Sequence, residues 1–209
     1  MKRLVILISG RGSNMQAILD AGLSAEIAAV ISNNPKAEGL AIARERRIKA
    51  LSLDHKKFPN RETFDSELAE LIDGCSPDLI ALAGFMRILS NWFVSHYRGR
   101  LINIHPSLLP AFPGLNTHER ALQTGVKIHG CSVHFVTNQL DHGPIIIQAA
   151  VPVLPGDTAE VLAARVLEHE HRIYPQAIRW FLAGKLELRD NSVVVDRRAK
   201  SSSRAMIVP

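Results

Sequence analysis

Arg3-Leu4-Val5-Ile6-Leu7-Ile8-Ser9-Gly10-Arg11-Gly12-Ser13-Asn14-Met15 is the stretch on which the fold turns. The run from Leu4 to Ile8 is apolar without alternation, as in a strand buried on both faces of a parallel sheet. Gly10-Arg11-Gly12-Ser13-Asn14 then makes a tight turn, and Met15, Ile18, Leu19 and Gly22 fall at helical spacing. A buried strand, a glycine turn and a helix open a β-α-β unit. The rhythm recurs downstream. It predicts a strand over about 25–32, a helix over 37–46 after Asn33-Asn34-Pro35, and a short strand over 48–52. Asn60 and Gly74 bracket a helix over 60–73, Pro77 starts a strand from Asp78 to Ala83, and Ser90 caps a short helix to about His96. Arg100 to His105 is the fifth strand.

The later part changes character. Ser132, His134 and Val136 alternate with Cys131, Val133 and Phe135, and residues 145–153 form another strand rich in Ile and Val. The two can pair antiparallel through the connection Thr137–Gly143. Asp157-Thr158-Ala159-Glu160 then opens a long helix to about Ala183, stopped by Gly184. The expected fold is α/β: a doubly wound, mostly parallel, Rossmann-like sheet with an antiparallel C-terminal portion, in a single domain.

At 209 residues, 46% hydrophobic and 22% charged, the composition is that of an ordinary globular protein. No apolar run is long enough to span a bilayer, and Met1-Lys2-Arg3 leads into too short an apolar stretch for a signal peptide. Cys75 and Cys131 have no metal-ligand spacing and read as buried thiols of a reducing cytoplasm. The net charge of +5 invites a nucleic-acid partner. Much of the excess sits at the C-terminus, where Arg197, Arg198, Lys200 and Arg204 face only Asp196, in a stretch that reads as flexible. The remaining body, mildly basic, suits a small anionic substrate rather than a nucleic acid, and no membrane partner is expected.

The turn Gly10–Asn14 offers backbone N–H groups at a helix N-terminus, where anions bind. A dinucleotide fingerprint would put a third glycine where Met15 stands and an acid at the end of the second strand, which instead reads Ser32-Asn33-Asn34. A single phosphomonoester fits better, and a glycine turn without a ligand is the alternative.

Asn103 and His105 share one face of the fifth strand, which Pro106 should end. They form an amide and imidazole pair, read as standing at a sheet edge. A carboxylate such as Asp141, in Leu140-Asp141-His142-Gly143-Pro144, would orient that imidazole and favour its protonated form. The set suits oxyanion stabilisation and proton movement in acyl transfer. The other histidines carry less. His129 and His134 point to opposite faces of a strand, so a metal site is not expected, although His134 can line a pocket. His169 and His171 cannot share a helix face. Phe85, Met86, Ile88 and Leu89 are either core residues or the wall of a flat heteroaromatic ligand.

Several strings together carry a resemblance from the first strand to about Leu188. They are Ile8-Ser9-Gly10 with Gly12-Ser13-Asn14, Ala83-Gly84-Phe85-Met86-Arg87-Ile88-Leu89, and Asn103-Ile104-His105-Pro106-Ser107-Leu108-Leu109-Pro110. Pro113-Gly114-Leu115, Val133-His134-Phe135-Val136-Thr137, Leu140-Asp141 with Gly143-Pro144, and Glu168-His169-Glu170 with Tyr174-Pro175 complete the set. The chain resembles the phosphoribosylglycinamide formyltransferases, folate-dependent members of the formyltransferase superfamily. The resemblance implies transfer of a formyl group from 10-formyltetrahydrofolate to glycinamide ribonucleotide (GAR), giving formyl-GAR and tetrahydrofolate in purine synthesis. It implies Asn103, His105 and Asp141 as the catalytic set, and Gly12, Ser13, Asn14 and Glu170 as GAR-binding. Arg61, Met86, Arg87, Ile88 and Leu89, with Asn103 and Asp141, would bind folate. It implies small-molecule substrates, no metal, a monomer or homodimer, and a cytoplasmic location. Residues 1–188 would be the formyltransferase domain, with a phosphate-binding half over about 1–100 and a folate and catalytic half over about 101–188; residues 189–209 would be a basic, flexible tail. Ala111, Asn116 and His142 depart from the family pattern.

Three other readings remain to be separated. Methionyl-tRNA formyltransferases share Ser-Leu-Leu-Pro but carry a further C-terminal domain, for which the tail leaves no room. A formyltetrahydrofolate hydrolase shares the catalytic set but usually follows an N-terminal regulatory domain, whereas this chain starts at its first strand. A nucleotide-binding module without catalysis leaves Asn103, His105 and Asp141 unexplained.

Overall fold

The structure, a computed structural model, describes residues 1–189 and 192–196. Within one seven-stranded sheet of order β3-β2-β1-β4-β5-β6-β7, the chain forms two compact units: Met1–Asn103 with Val136–Asn138, and Ile104–Phe135 with the chain from Gln139.

In the first unit β1 (Lys2–Ile8) pairs in parallel with β2 (Ala25–Ser32) and β4 (Leu79–Leu82). β2 pairs with β3 (Ala50–Ser52), and β4 with β5 (Leu101–His105), also in parallel. Leu4 through Ile8 are fully buried, as their unbroken apolarity requires. Each such side chain contributes about 1.5–3 kcal/mol by leaving water. The helices are α1 (Ser13–Asp20), α2 (Glu38–Glu45), α3 (Arg61–Asp73) and α4 (Asn91–His96), with a single 3₁₀ turn at His55–Lys57. Asn60 Oδ1 accepts the Thr63 N–H at 2.9 Å to start α3, and Phe64, Leu68 and Ile72, four apart, are its buried face. Register aligns Leu7 with Ile31 and Leu82, and Leu82 with Asn103, so the segments that follow β1, β2 and β4 leave the sheet from one row.

The second unit is built on β6 (Ile128–Phe135) and β7 (Ile145–Pro152), an antiparallel pair with a register shift between Val133 and His134. Helix α6 (Ala159–Leu182) packs on both. Thr158 caps its start, and the stripe Leu162, Val166, Ile173, Ala177 and Ile178 is buried. The doubly wound, mostly parallel α/β architecture with an antiparallel portion is as the sequence implies.

Three features differ from the sequence reading. β5 is an interior strand between β4 and β6, so Asn103 and His105 stand at the end of a central strand and not at a sheet edge. A helix α5 (Thr117–Thr124) follows Asn116; it buries only Thr117 and Ala121, so no apolar period announced it. β8 (Leu186–Arg189) and β9 (Ser192–Val195), two strands with no counterpart in the sequence reading, pair antiparallel. Residues 197–209, the rest of the basic stretch, lie outside the described residues. No helix among the described residues is long and apolar enough to cross a membrane.

Candidate active site

In the second unit His105 ends β5 and is 6% exposed. Its Nδ1 lies 3.5 Å from Asp141 Oδ2, and its Nε2 lies 3.0 Å from the Phe112 carbonyl. Both nitrogens therefore face oxygen acceptors, and the ring can donate to both only as a cation. Asp141 sits in the β6–β7 connection with a φ of 54°, a left-handed conformation that Asp and Asn tolerate better than most residues. Asp141 Oδ2 also accepts the Gly114 N–H at 2.8 Å, and its Oδ1 is 3.9 Å from His134 Nε2. The other His134 nitrogen, Nδ1, is 2.9 Å from the Phe135 carbonyl. Burial pushes the His134 pKa down, against the pull of that carbonyl and of Asp141.

The loop after His105 is stitched to the β6–β7 pair. The Ser132 hydroxyl donates to the Ser107 carbonyl at 2.7 Å and accepts from the Leu109 N–H at 3.0 Å and Gln148 Nε2 at 2.8 Å. Gln148 Nε2 also reaches the Leu109 carbonyl, and Thr117 Oγ1 donates to the Pro106 carbonyl at 2.7 Å. Beside this loop the His118 and His129 rings meet edge to face at 5.2 Å. Burial pushes His118 down, with a smaller push from His105. Burial, and then His118, push His129 down to about 4.

Glu170 lies on the packed side of α6, only 7% exposed, amid the apolar stripe. Burial first, and then the Glu170 charge, push the Cys131 thiol up. Both cysteines are buried and free.

In the first unit Gly12 takes a φ of 78° as N-cap of α1, and the first turn of α1 holds no acidic side chain. A Cβ on Gly12 would stand 3.1 Å from Met15 Cε and 3.2 Å from the Gly39 Cα. The turn rests on α2, where the Gly39 N–H donates to the Gly10 carbonyl at 3.1 Å. A Cβ on Gly39 would approach Ile8 Cδ1 to 2.5 Å, so a side chain at either glycine would force its neighbours to shift. Ser13 and Asn14 open α1, and Asn14 is buried. Arg61 is the exposed first residue of α3. Asn103 is half-buried on β5, in register with Leu82. Met86 and Ile88 are 65% and 57% exposed, while Phe85 is in the core, which divides the segment between the two readings the sequence left open. Arg87 and Leu89 are half-buried.

The structure thus brings His105 and Asp141 together and sets Asn103 two residues before His105 on the same strand. It also shows what sequence reasoning did not find. The Phe112 carbonyl on His105 is a backbone atom and has no letter in the sequence. The Ser132–Gln148 stitching joins residues too far apart in the chain for any motif to link. The neighbourhood of His118 and His129 depends on α5, which gave no periodic signal. Among the described residues no cluster of His, Cys, Asp or Glu has the arrangement of a metal site.

Comparison with known proteins identifies the family. Residues 2–178 match the family described as formyl transferase. The chain is 52% identical over 197 residues to the phosphoribosylglycinamide formyltransferase of Escherichia coli (strain K12), covering 92% of this chain and 93% of that one. Among solved structures, glycinamide ribonucleotide transformylase 1 of Symbiobacterium toebii superposes with a TM-score of 0.91 at 49% identity, over 93% of this chain and 94% of that chain. The phosphoribosylglycinamide formyltransferase of Coxiella burnetii gives 0.89 at 52% identity, over 93% of each chain. The chain belongs to the formyl transferase family and, within it, to the phosphoribosylglycinamide formyltransferases.

Proposed function

We propose that this protein transfers the formyl group of 10-formyltetrahydrofolate to the amine of glycinamide ribonucleotide, in the cytoplasm and for purine synthesis. Its substrates are small molecules and the reaction uses no metal. The observation that carries the catalytic assignment is the buried approach of His105 to Asp141 at 3.5 Å.

The amine nitrogen attacks the formyl carbon, and the carbonyl oxygen becomes an oxyanion. The Asn103 amide donates one hydrogen bond to it and the His105 ring a second. Donation from Nε2 means exchanging the Phe112 carbonyl for the substrate oxygen, so this N–H is already formed as a donor. Asp141, anchored by the Gly114 N–H, orients the ring and balances its charge. The intermediate collapses by breaking the bond from the formyl carbon to the folate nitrogen. The proton lost by the attacking amine is delivered to that nitrogen through the same groups.

Gly12, Ser13 and Asn14 hold the ribonucleotide phosphate, at a turn whose closeness to Gly39 keeps its backbone bare of side chains. Glu170 holds the glycinamide part. Arg61, Met86, Arg87, Ile88 and Leu89, with Asn103 and Asp141, border the folate. The test is to mix protein, glycinamide ribonucleotide and 10-formyltetrahydrofolate and follow folate absorbance. Acceptor-dependent release of tetrahydrofolate with formylated ribonucleotide supports the reading. Deformylation that ignores the acceptor makes the protein a hydrolase, and no turnover overturns the assignment.

A further inference from the structure

Gly84–Ser90, the connection from β4 to α4, is held at both ends by polar groups of the first unit, the half-buried Ser9 and the buried Asp65. At one end the Ser9 hydroxyl accepts the Met86 N–H at 2.7 Å and donates to Asn33 Oδ1 at 2.5 Å. Asn33 is 4% exposed, and His55 Nδ1 lies 3.1 Å from its side-chain amide and 2.9 Å from its carbonyl. At the other end the Asp65 carboxylate, on the buried side of α3, accepts the Ser90 N–H at 2.5 Å. Ser90 Oγ in turn accepts the Phe93 N–H that starts α4.

Asp65 is an expensive way to make that bond. It is fully buried, and its Oδ1 has no hydrogen-bond partner among the described residues. Desolvation is the largest influence on its pKa and raises it, against the pull of Ser90 and then Arg61. α4 already has its own cap in Ser90, so helix initiation does not require the carboxylate. What the two anchors enclose is Met86–Leu89, with two large apolar side chains left mostly in water. A pinned backbone carrying exposed apolar side chains is prepared for a flat ligand, because little ordering is left to be done on binding.

We propose that Asp65 and Ser9 are positioning residues for the formyl donor, clamping the two ends of Gly84–Ser90 so that Met86–Leu89 presents a fixed edge to the folate ring. This rests on the assignment of Met86–Leu89 to folate made above. Asp65→Ala should raise the KM for 10-formyltetrahydrofolate about tenfold and leave the KM for glycinamide ribonucleotide within about twofold, since small displacements of a binding segment weaken only what it touches. Asp65→Asn keeps an acceptor for the Ser90 N–H and should restore most of the folate KM. Ser9→Ala, which frees the Met86 N–H, tests the other anchor and serves if Asp65→Ala does not fold. A purely structural role would lower Tm and active fraction without separating the two KM values. An unchanged folate KM in folded Asp65→Ala and Ser9→Ala, or an equal rise in both KM values, overturns the proposal. Ile88→Ala identifies the fault. If it raises the folate KM while the anchor variants do not, the clamp is wrong and the folate surface stands. If it leaves the folate KM unchanged as well, the folate assignment fails and the clamp with it.

Discussion

Asp141→Asn isolates the charge opposite His105. Asn fits the left-handed backbone at this position as well as Asp does and keeps an oxygen for the Gly114 N–H, so the loop should survive the change. What goes is the negative charge 3.5 Å from the imidazole, with both side chains about 7% exposed. At that distance, with an effective dielectric constant of about 20, a pair of unit charges attracts by roughly 5 kcal/mol before desolvation. Desolvation of two buried groups cancels part of this. A net loss of about 3–4 kcal/mol in the transition state corresponds to about 10²–10³-fold in kcat, the usual effect of removing one oxyanion donor. The assay is steady-state formyl transfer with each substrate varied in turn while the other is saturating, alongside thermal melting. Expected are a kcat reduced by that factor, KM values little changed and a Tm within a few degrees of the parent. A folded Asp141→Asn protein with kcat within about threefold of the parent refutes the role given to the carboxylate.

Other expectations follow from the same geometry. Gly12→Ala puts a methyl group against Met15 and Gly39 at positive φ, so it should cost about 1–2 kcal/mol of stability and raise the KM for the ribonucleotide; melting and steady-state kinetics read the two effects. Ser132→Ala strands the Ser107 carbonyl and the Leu109 N–H, and denaturant titration should show a loss of about 1–3 kcal/mol. His129 and His118 have folded pKa values below those of the unfolded chain, so the unfolded chain takes up protons first as pH falls. Both lose stabilisation as pH falls below the ordinary histidine range, and for His129 the loss runs from about pH 6.5 down to about 4. For His129 the loss amounts to about 3 kcal/mol, and His129→Leu should flatten the stability curve across that window; an unchanged slope would count against the burial argument.

Much of the fold was legible because single residues punctuate it. Asn60, Ser90 and Thr158 each start a helix with a side-chain cap, and the unbroken apolarity of Leu4–Ile8 needed no partner to be read as a buried strand. Helix α5 was not legible, because Asn116 enters it in a left-handed conformation without a side-chain cap and its residues are mostly polar. The position of β5 was misjudged for a related reason: a proline after His105 says where the strand stops, while its neighbours are set by pairing with distant segments. In the candidate site the approach of His105 to Asp141 was visible from residue type and family likeness. Contacts through backbone atoms, such as Phe112 to His105 and Ser9 to Met86, could come only from coordinates.

The single oxygen of Asp141 that serves both His105 and Gly114 has an evolutionary consequence. The β6–β7 connection and the segment around Gly114 are halves of one joint, so an insertion or deletion in either must be matched in the other. Chimeras that trade one of them for a homologue's version should lose turnover unless its counterpart travels with it.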